Sequence, residues 1–400
     1  MKQQFFYHKI KKAGFSIFIF LLMFFCQVNG QKKLKVAQSN SPEVHDTMSV
    51  DKRKRNFMLT PYAAPSYSPE LGVLFTAGGL MSFKIQPDNQ FLERSSIPFS
   101  VGYSTNGSAT ITVLPYIYGR DNKYKIQTQF YYKNMPDNYW GVGYDNAIRT
   151  SSPDSTTSYH REWWSLAGQM VFKVKSGFNL GFVYDINATT ASSLNSTMEQ
   201  DPSVLKFGTH VRNLGLGIAI ELDYRDNAQN PYSGYLLNMG LLNYNGMIAS
   251  NPNNFNKVTL DARKYFPVGD RKTVALQFST EHTGGDVPWS EMPQVGTPTD
   301  LRGYQWGRFR DKTATFGIAE YRHMITRKRI NKKGSYDSRF GFATWVGVGC
   351  VSDNYATMYN WIPNGGIGLR VEIQPRMNLR IDYGIGKDSN AFYIIFSEAF

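Results

Sequence analysis

The sequence predicts an all-β protein, a transmembrane antiparallel β-barrel of about 16 strands. Three observations point there. The chain begins with an export signal, and after residue 30 it has no apolar stretch near the roughly eighteen residues a membrane helix needs. From Phe57 to the end, segments of about ten residues alternate in polarity between clusters of Gly, Asn, Asp, Pro and Ser.

Residues 1–30 read as a signal peptide. Lys2, Lys9, Lys11 and Lys12 form a positive head, and Phe15 to Phe25 is an apolar run broken only by Ser16. That is the length of a signal core and too short to span a bilayer. Cleavage is expected after Val28-Asn29-Gly30, while Phe25 is too large to precede a lipidated Cys26. Removing four lysines and no acid takes the net charge from +13 to +9. The remaining basic residues are dispersed, which together with export argues against a nucleic-acid partner. Cys350 alone remains, so no internal disulfide is expected.

Residues 31–56 carry Lys32, Lys33, Lys35, Lys52, Arg53, Lys54 and Arg55 and read as a polar periplasmic linker; residues 57–400 form the barrel. In Leu214 to Arg225, Leu214, Leu216, Ile218, Ile220, Leu222 and Tyr224 oppose Gly215, Gly217, Ala219, Glu221, Asp223 and Arg225. Lys123, Lys125, Gln127 and Gln129 oppose Tyr124, Ile126, Phe130 and Tyr132. The same period of two runs through 366–373 and 379–386. A sandwich also alternates, but its strands average about five or six residues. Strands of about ten residues suit a tilted membrane crossing, with the apolar face to lipid and the charged, glycine-rich face to a wet interior. Lipid offers no partner to a free edge, so the sheet must close. Tyr139-Trp140 and Trp163-Trp164, at segment ends, suit interfacial aromatic girdles.

Between the strand near Thr273 to Glu281 and the next at Thr315 lies a long connection, a length usually reserved for function or disorder. It contains Leu301-Arg302-Gly303-Tyr304, followed by Gly307. Asp223-Tyr224-Arg225-Asp226-Asn227 precedes Pro231 and Gly234; Ile318-Ala319-Glu320-Tyr321-Arg322 follows the loop; the last residue is Phe400. In these matches, and in their order, the sequence resembles the BamA/TamA superfamily, the bacterial surface antigen barrels, over roughly residues 70–400. The resemblance implies that the Arg-Gly-aromatic tetrad folds back into the lumen, that Glu320 is the acidic partner of Arg302, that Asp223 to Gly234 is the family's strand motif, and that Phe400 is a C-terminal assembly signal. It places the chain in the bacterial outer membrane.

Two departures follow from the comparison. The strand after the glutamate strand often carries an inward Asp two residues before a Gly; Gly347 stands there instead, so Arg302 is expected to have one acidic partner fewer. Glu398 occupies a terminal position where an aromatic or aliphatic residue is common. A further departure is that members which insert or secrete proteins carry periplasmic POTRA domains, and residues 31–56 are too few for one, so the resemblance implies a barrel-only member.

No catalysis, metal or cofactor is expected. His45, His160, His210, His282 and His323 lack metal-ligand spacing, and no nucleophile elbow, phosphate loop or zinc-helix motif is present. The inward carboxylates Glu221, Asp223, Glu372 and Asp382 are expected to pair with Arg225, Arg370 and Arg380 rather than to do acid–base work. The leading expectation is a role in outer-membrane protein assembly or translocation, among membrane lipids and with periplasmic or outer-membrane protein partners. The alternative is a structural or docking subunit of an envelope complex; a passive pore fits less well, because a loop folded inside would occlude it.

Overall fold

The computed structural model describes residues 56–400 apart from 69–71, 90–91, 150–155, 246–253, 327–328, 332–333 and 337. The expected signal peptide, and the linker up to residue 55, lie outside the described residues.

Sixteen strands follow one another as an antiparallel meander. The first four are β1 (Phe57–Ser68), β2 (Gly72–Phe83), β3 (Ser95–Ser104) and β4, which is broken into Ala109–Val113 and Tyr116–Tyr118. Both pieces of β4 pair with the same two neighbours, so the 17 segments of the sheet amount to 16 strands. Next come β5 (Tyr124–Asn138), β6 (Ser158–Lys175), β7 (Phe178–Ser192), β8 (His210–Asp223), β9 (Gly234–Tyr244) and β10 (Phe255–Gly269). The last six are β11 (Lys272–Gly285), β12 (Thr313–Met324), β13 (Phe340–Ser352), β14 (Ile362–Gln374), β15 (Met377–Gly386) and β16 (Asn390–Phe396). Every ladder joins sequence neighbours, so the sheet is built from hairpins alone. It curls until its ends meet: Tyr62 on β1 and Phe396 on β16 have ring centroids 5.0 Å apart. At one rim the Gln374 amide also donates to Thr60 Oγ1 at 2.8 Å and to the Leu80 carbonyl at 3.1 Å.

The alternation sorts as lipid and lumen require. Ile367 on β14 is 67 % exposed and Glu221 on β8 fully buried. Leu216, Ile218, Leu369, Ile385, Phe392 and Ile394 point outward, whereas Arg370, Arg380 and Asp382 point in. The hairpins β6–β7, β10–β11 and β14–β15 turn tightly at one end, the periplasmic end of such barrels, while long connections gather at the other.

The longest, residues 286–312, folds back inside and is stiffened by a small ladder of Gln294–Val295 with Phe309–Arg310. Leu301, Tyr304 and Phe309 pack there with Ala147, Val295, Ala314, Val351 and Ile362. Beside them Tyr139, Tyr159, Met198 and Val204 surround Trp289, whose indole N–H donates to the Gly208 carbonyl at 3.0 Å. One expectation is corrected here. Tyr139 and Trp140 are buried and belong to no lipid-facing girdle; Tyr139 packs against Trp289 and Arg310 of the returning loop. Trp163 is likewise turned inward, stacked on Tyr131 with centroids 5.6 Å apart.

Candidate functional site

The inner wall of β12 to β15 carries one lateral row set by strand register. Glu320 lies opposite Trp345, Trp345 opposite Gly366, and Gly366 opposite Gly384. The row therefore reads acid, aromatic, then two residues without side chains, and the loop tip is shaped to it. The Arg302 guanidinium lies 3.5 Å from the centroid of the Trp345 ring. Its Nη2 donates to Glu320 Oε2 at 2.5 Å and its Nη1 to Asp382 Oδ2 at 2.7 Å. A planar fork between two carboxylates, stacked on an indole, is a use that lysine could not fill.

Glycine is required on both sides of the contact. Gly303 adopts φ +114°, and a Cβ there would lie 2.7 Å from the backbone of Gly384 and Ile385. A Cβ on Gly384 would lie 2.5 Å from the carbonyl carbon of Arg302. The tip is then pinned by polar groups from two strands and a turn. Asn364 Nδ2 donates to the Arg302 carbonyl at 3.0 Å, and the Gly303 N–H to Tyr393 Oη at 3.1 Å. Tyr304 Oη donates to the Pro363 carbonyl at 2.6 Å and accepts from the Lys387 N–H at 2.8 Å. Gly307, at φ +85°, turns the chain so that its carbonyl accepts from Arg310. Arg308 forms a two-point pair with Asp388 at 2.8 and 2.6 Å, and this bond holds the Asp388 carboxyl below its ordinary range.

Glu320 also accepts from Arg322 at 2.7 Å and lies 3.6 Å from Arg370. Arg370 and Arg380 bind Asp382 at 2.6 and 2.7 Å. The second acid of Arg302 corrects the expectation drawn from Gly347. The missing Asp-x-Gly spacing stands at Asp382 and Gly384, two strands further on, and so reaches the same guanidinium. Glu372 is a second correction, since it pairs with Arg271 of the β10–β11 turn at 3.0 Å rather than with a neighbouring arginine.

Residues after β16 turn inward. Ser397 takes φ +82°, and Glu398 pairs with Arg370 at 2.8 Å. The Phe400 ring packs with Tyr265, Ala275, Ile318 and Trp345, with the Arg322 guanidinium 4.9 Å from its centroid. Arg322 Nη2 donates to the Phe400 carbonyl at 2.8 Å. Phe400 thus sits inside the lumen rather than on the last strand. Glu398 is an ion-pair member there, which explains an acid where an apolar residue was expected.

The motif from Asp223 to Gly234 builds the β8–β9 connection at the periplasmic rim. Arg225 grips Asp223 with two bonds of 2.9 Å, and Lys125 joins Asp223 to Glu221 at 2.8 and 2.9 Å. Asp226 accepts from the N–H groups of Tyr232 and Ser233, and Asn227 from those of Gln229 and Asn230. These turns flank Pro231, and Gly234 takes φ +97° where a Cβ would meet the Tyr224 carbonyl. Arg376 then ties Asp226 and the Asn230 carbonyl to the β14–β15 turn at 2.8 and 2.7 Å. Sequence reasoning missed Trp345 and Tyr393 as contacts of the loop, and Arg308 as the residue that ties it to Asp388.

No curated protein matches the sequence. Among solved structures, BamA from Haemophilus ducreyi lacking POTRA domains 1–3 aligns at 12 % identity and TM-score 0.51, over 86 % of this chain and 69 % of that one. CdiB from Escherichia coli aligns at 8 % identity and TM-score 0.50, over 85 % of this chain and 61 % of that one. CdiB from Acinetobacter baumannii gives 11 % and 0.48, over 87 % and 66 %. The chain thus spans about two thirds of the length of these proteins, and identities so low speak to the fold. The Omp85 superfamily domain matches residues 94–400. With a sixteen-strand meander, a returning loop and lipid-facing apolar rows, the chain belongs to the Omp85 superfamily of outer-membrane β-barrels.

Proposed function

We propose that this barrel takes part in outer-membrane protein assembly or translocation, working with partner proteins in the surrounding lipid. One observation carries the reading, the uneven seam. β1 is 12 residues long and β16 only 7, and among the described residues no backbone ladder joins them. The continuation of β16 is drawn into the lumen by Glu398 and Phe400. Strand edges without partners are costly in lipid, and an incoming extended segment would satisfy them by β-augmentation. Such templating needs no catalytic residue. The buried ion pairs and the folded loop argue against a wide passive pore.

The test is insertion of an urea-unfolded outer-membrane barrel into liposomes that hold the refolded chain. Faster client folding than in protein-free liposomes is expected. It should be abolished when Tyr62→Cys and Phe396→Cys are oxidised across the seam in a Cys350→Ser background, and restored by reductant. Client folding at the protein-free rate, or insensitivity to the lock, would favour the docking subunit instead.

A further inference from the structure

At the outer mouth of the lumen, between the wall strands β5 and β6 and the returning loop, lies a pocket of about 300 Å³ lined by Lys133, Arg161, Arg310, Trp306, Gln294 and Gln305 among others. Among the described residues its charge is unbalanced. Arg161 pairs with Asp137 at 3.3 Å, but among the described residues neither Lys133 nor Arg310 has a carboxylate within 4.0 Å. Arg310 is buried, and among the described residues its guanidinium bonds only to neutral acceptors, the carbonyls of Gly307 at 3.0 and 2.9 Å and Trp289 at 3.4 Å. Tyr139 adds a ring face 4.7 Å away. The Lys133 ammonium lies 3.7 Å from the centroid of Trp306 and 5.4 Å from that of Trp163. Aromatic faces ease the burden of a cation but do not neutralise it, and a buried guanidinium ordinarily has an anion.

We propose that this pocket binds one sugar unit carrying a phosphate or carboxylate, with the anionic group beside Lys133 and Arg310 and the ring against Trp306. The anion answers the charge excess. The amides of Gln294 and Gln305 suit hydroxyls, and the half-exposed indole offers an apolar face to the C–H side of a pyranose. The volume admits a single residue with its substituent, so the site reads a terminal or branch-point unit rather than a long chain. It lies at the end opposite the tight turns, facing the cell exterior.

The experiment is calorimetric titration of the refolded full chain with glucose 6-phosphate, glucuronate, glucose and inorganic phosphate. Saturable binding of the two charged sugars is expected, with glucose and inorganic phosphate each weaker by about tenfold, the size of one lost contact. Lys133→Gln should weaken both charged sugars by about tenfold. Trp306→Ala should weaken both sugars and leave inorganic phosphate unchanged. The unboiled gel position of each variant checks that it has folded. Displacement of bound glucose 6-phosphate by lipopolysaccharide would assign the site to a surface glycolipid, and its failure to a free sugar phosphate. Absence of saturable binding, glucose binding as well as its phosphate, or indifference of a folded Lys133→Gln variant would overturn the proposal.

Discussion

Glu320→Ala should destabilise the barrel more than Arg302→Ala, although the two residues share a bond. The reason is the charge count of the buried cluster. Within ion-pair distance of one another stand four guanidinium groups, Arg302, Arg322, Arg370 and Arg380, and three carboxylates, Glu320, Asp382 and Glu398. The side chains sum to +1, apart from the Phe400 oxygen that Arg322 also holds; loss of Arg302 brings them to zero, and loss of Glu320 raises them to +2. Removing one partner of a buried pair costs about 3–5 kcal/mol when the other charge is left without compensation. Glu320→Ala belongs in that range, because it strips an acid from both Arg302 and Arg322. Arg302→Ala leaves Glu320 to Arg322 and Asp382 to Arg370 and Arg380. Its cost should be about 1.5–3 kcal/mol, the net worth of one charge-assisted bond, with relief of guanidinium desolvation offsetting the other. The double variant should cost less than the sum, by about 0.5–3 kcal/mol. The assay is the urea midpoint of the fast-migrating unboiled band on gels, converted through the common slope. Arg302→Ala proving the costlier change, or strict additivity, would refute the charge argument. Identical migration with and without boiling would refute the barrel itself.

Three other outcomes are expected. Gly384→Ala places a methyl 2.5 Å from the Arg302 carbonyl carbon in a strand position that otherwise accepts it, so the loop should lift and trypsin should cut at Arg302, Arg308 or Arg310 in the folded barrel. Phe400→Ala removes a ring buried against Tyr265 and Trp345 and should lower stability, read from the urea midpoint, by about 3–5 kcal/mol, less if the tail collapses into the gap, in addition to any effect on assembly. The depressed Asp388 carboxyl contributes stability that is present above the ordinary aspartate range, about pH 3.9, and lost as pH falls through its lower folded value. Proteolytic release of the loop should therefore rise on acidification in wild type and be raised already at neutral pH in Asp388→Asn.

What the sequence discloses and what it withholds divide along a physical line. Lipid on one side and water on the other impose a period of two, so the faces of Leu214–Arg225 and 366–373 were legible residue by residue. The count of about 16 was legible too, because the membrane bounds strand length and so limits how many strands the chain can supply. Contacts across the lumen were not. Periodicity says that Asp382, Glu372 and Arg370 point inward, yet not which of them meet, since the partners lie tens of residues apart and depend on how the sheet curls. The Arg302–Glu320 bond was reached through family resemblance. Its second acid stands not on the adjacent strand, where Gly347 is, but at the Asp-x-Gly spacing of Asp382. Tyr139 and Trp140 are illegible for a related reason, because an aromatic pair at a strand end suits a membrane interface and a packed lumen equally well.

Glu320 is held from two directions, by Arg302 of the outer loop and by Arg322, which also grips Phe400 of the inward tail. The loop thus meets this carboxylate directly, and the tail meets it through Arg322. Linkage then binds them reciprocally: any factor by which a docked tail tightens the loop is the same factor by which a docked loop tightens the tail. A polypeptide that loosens the tail at the periplasmic rim would for that reason be felt at the cell surface, through a path no longer than three side chains.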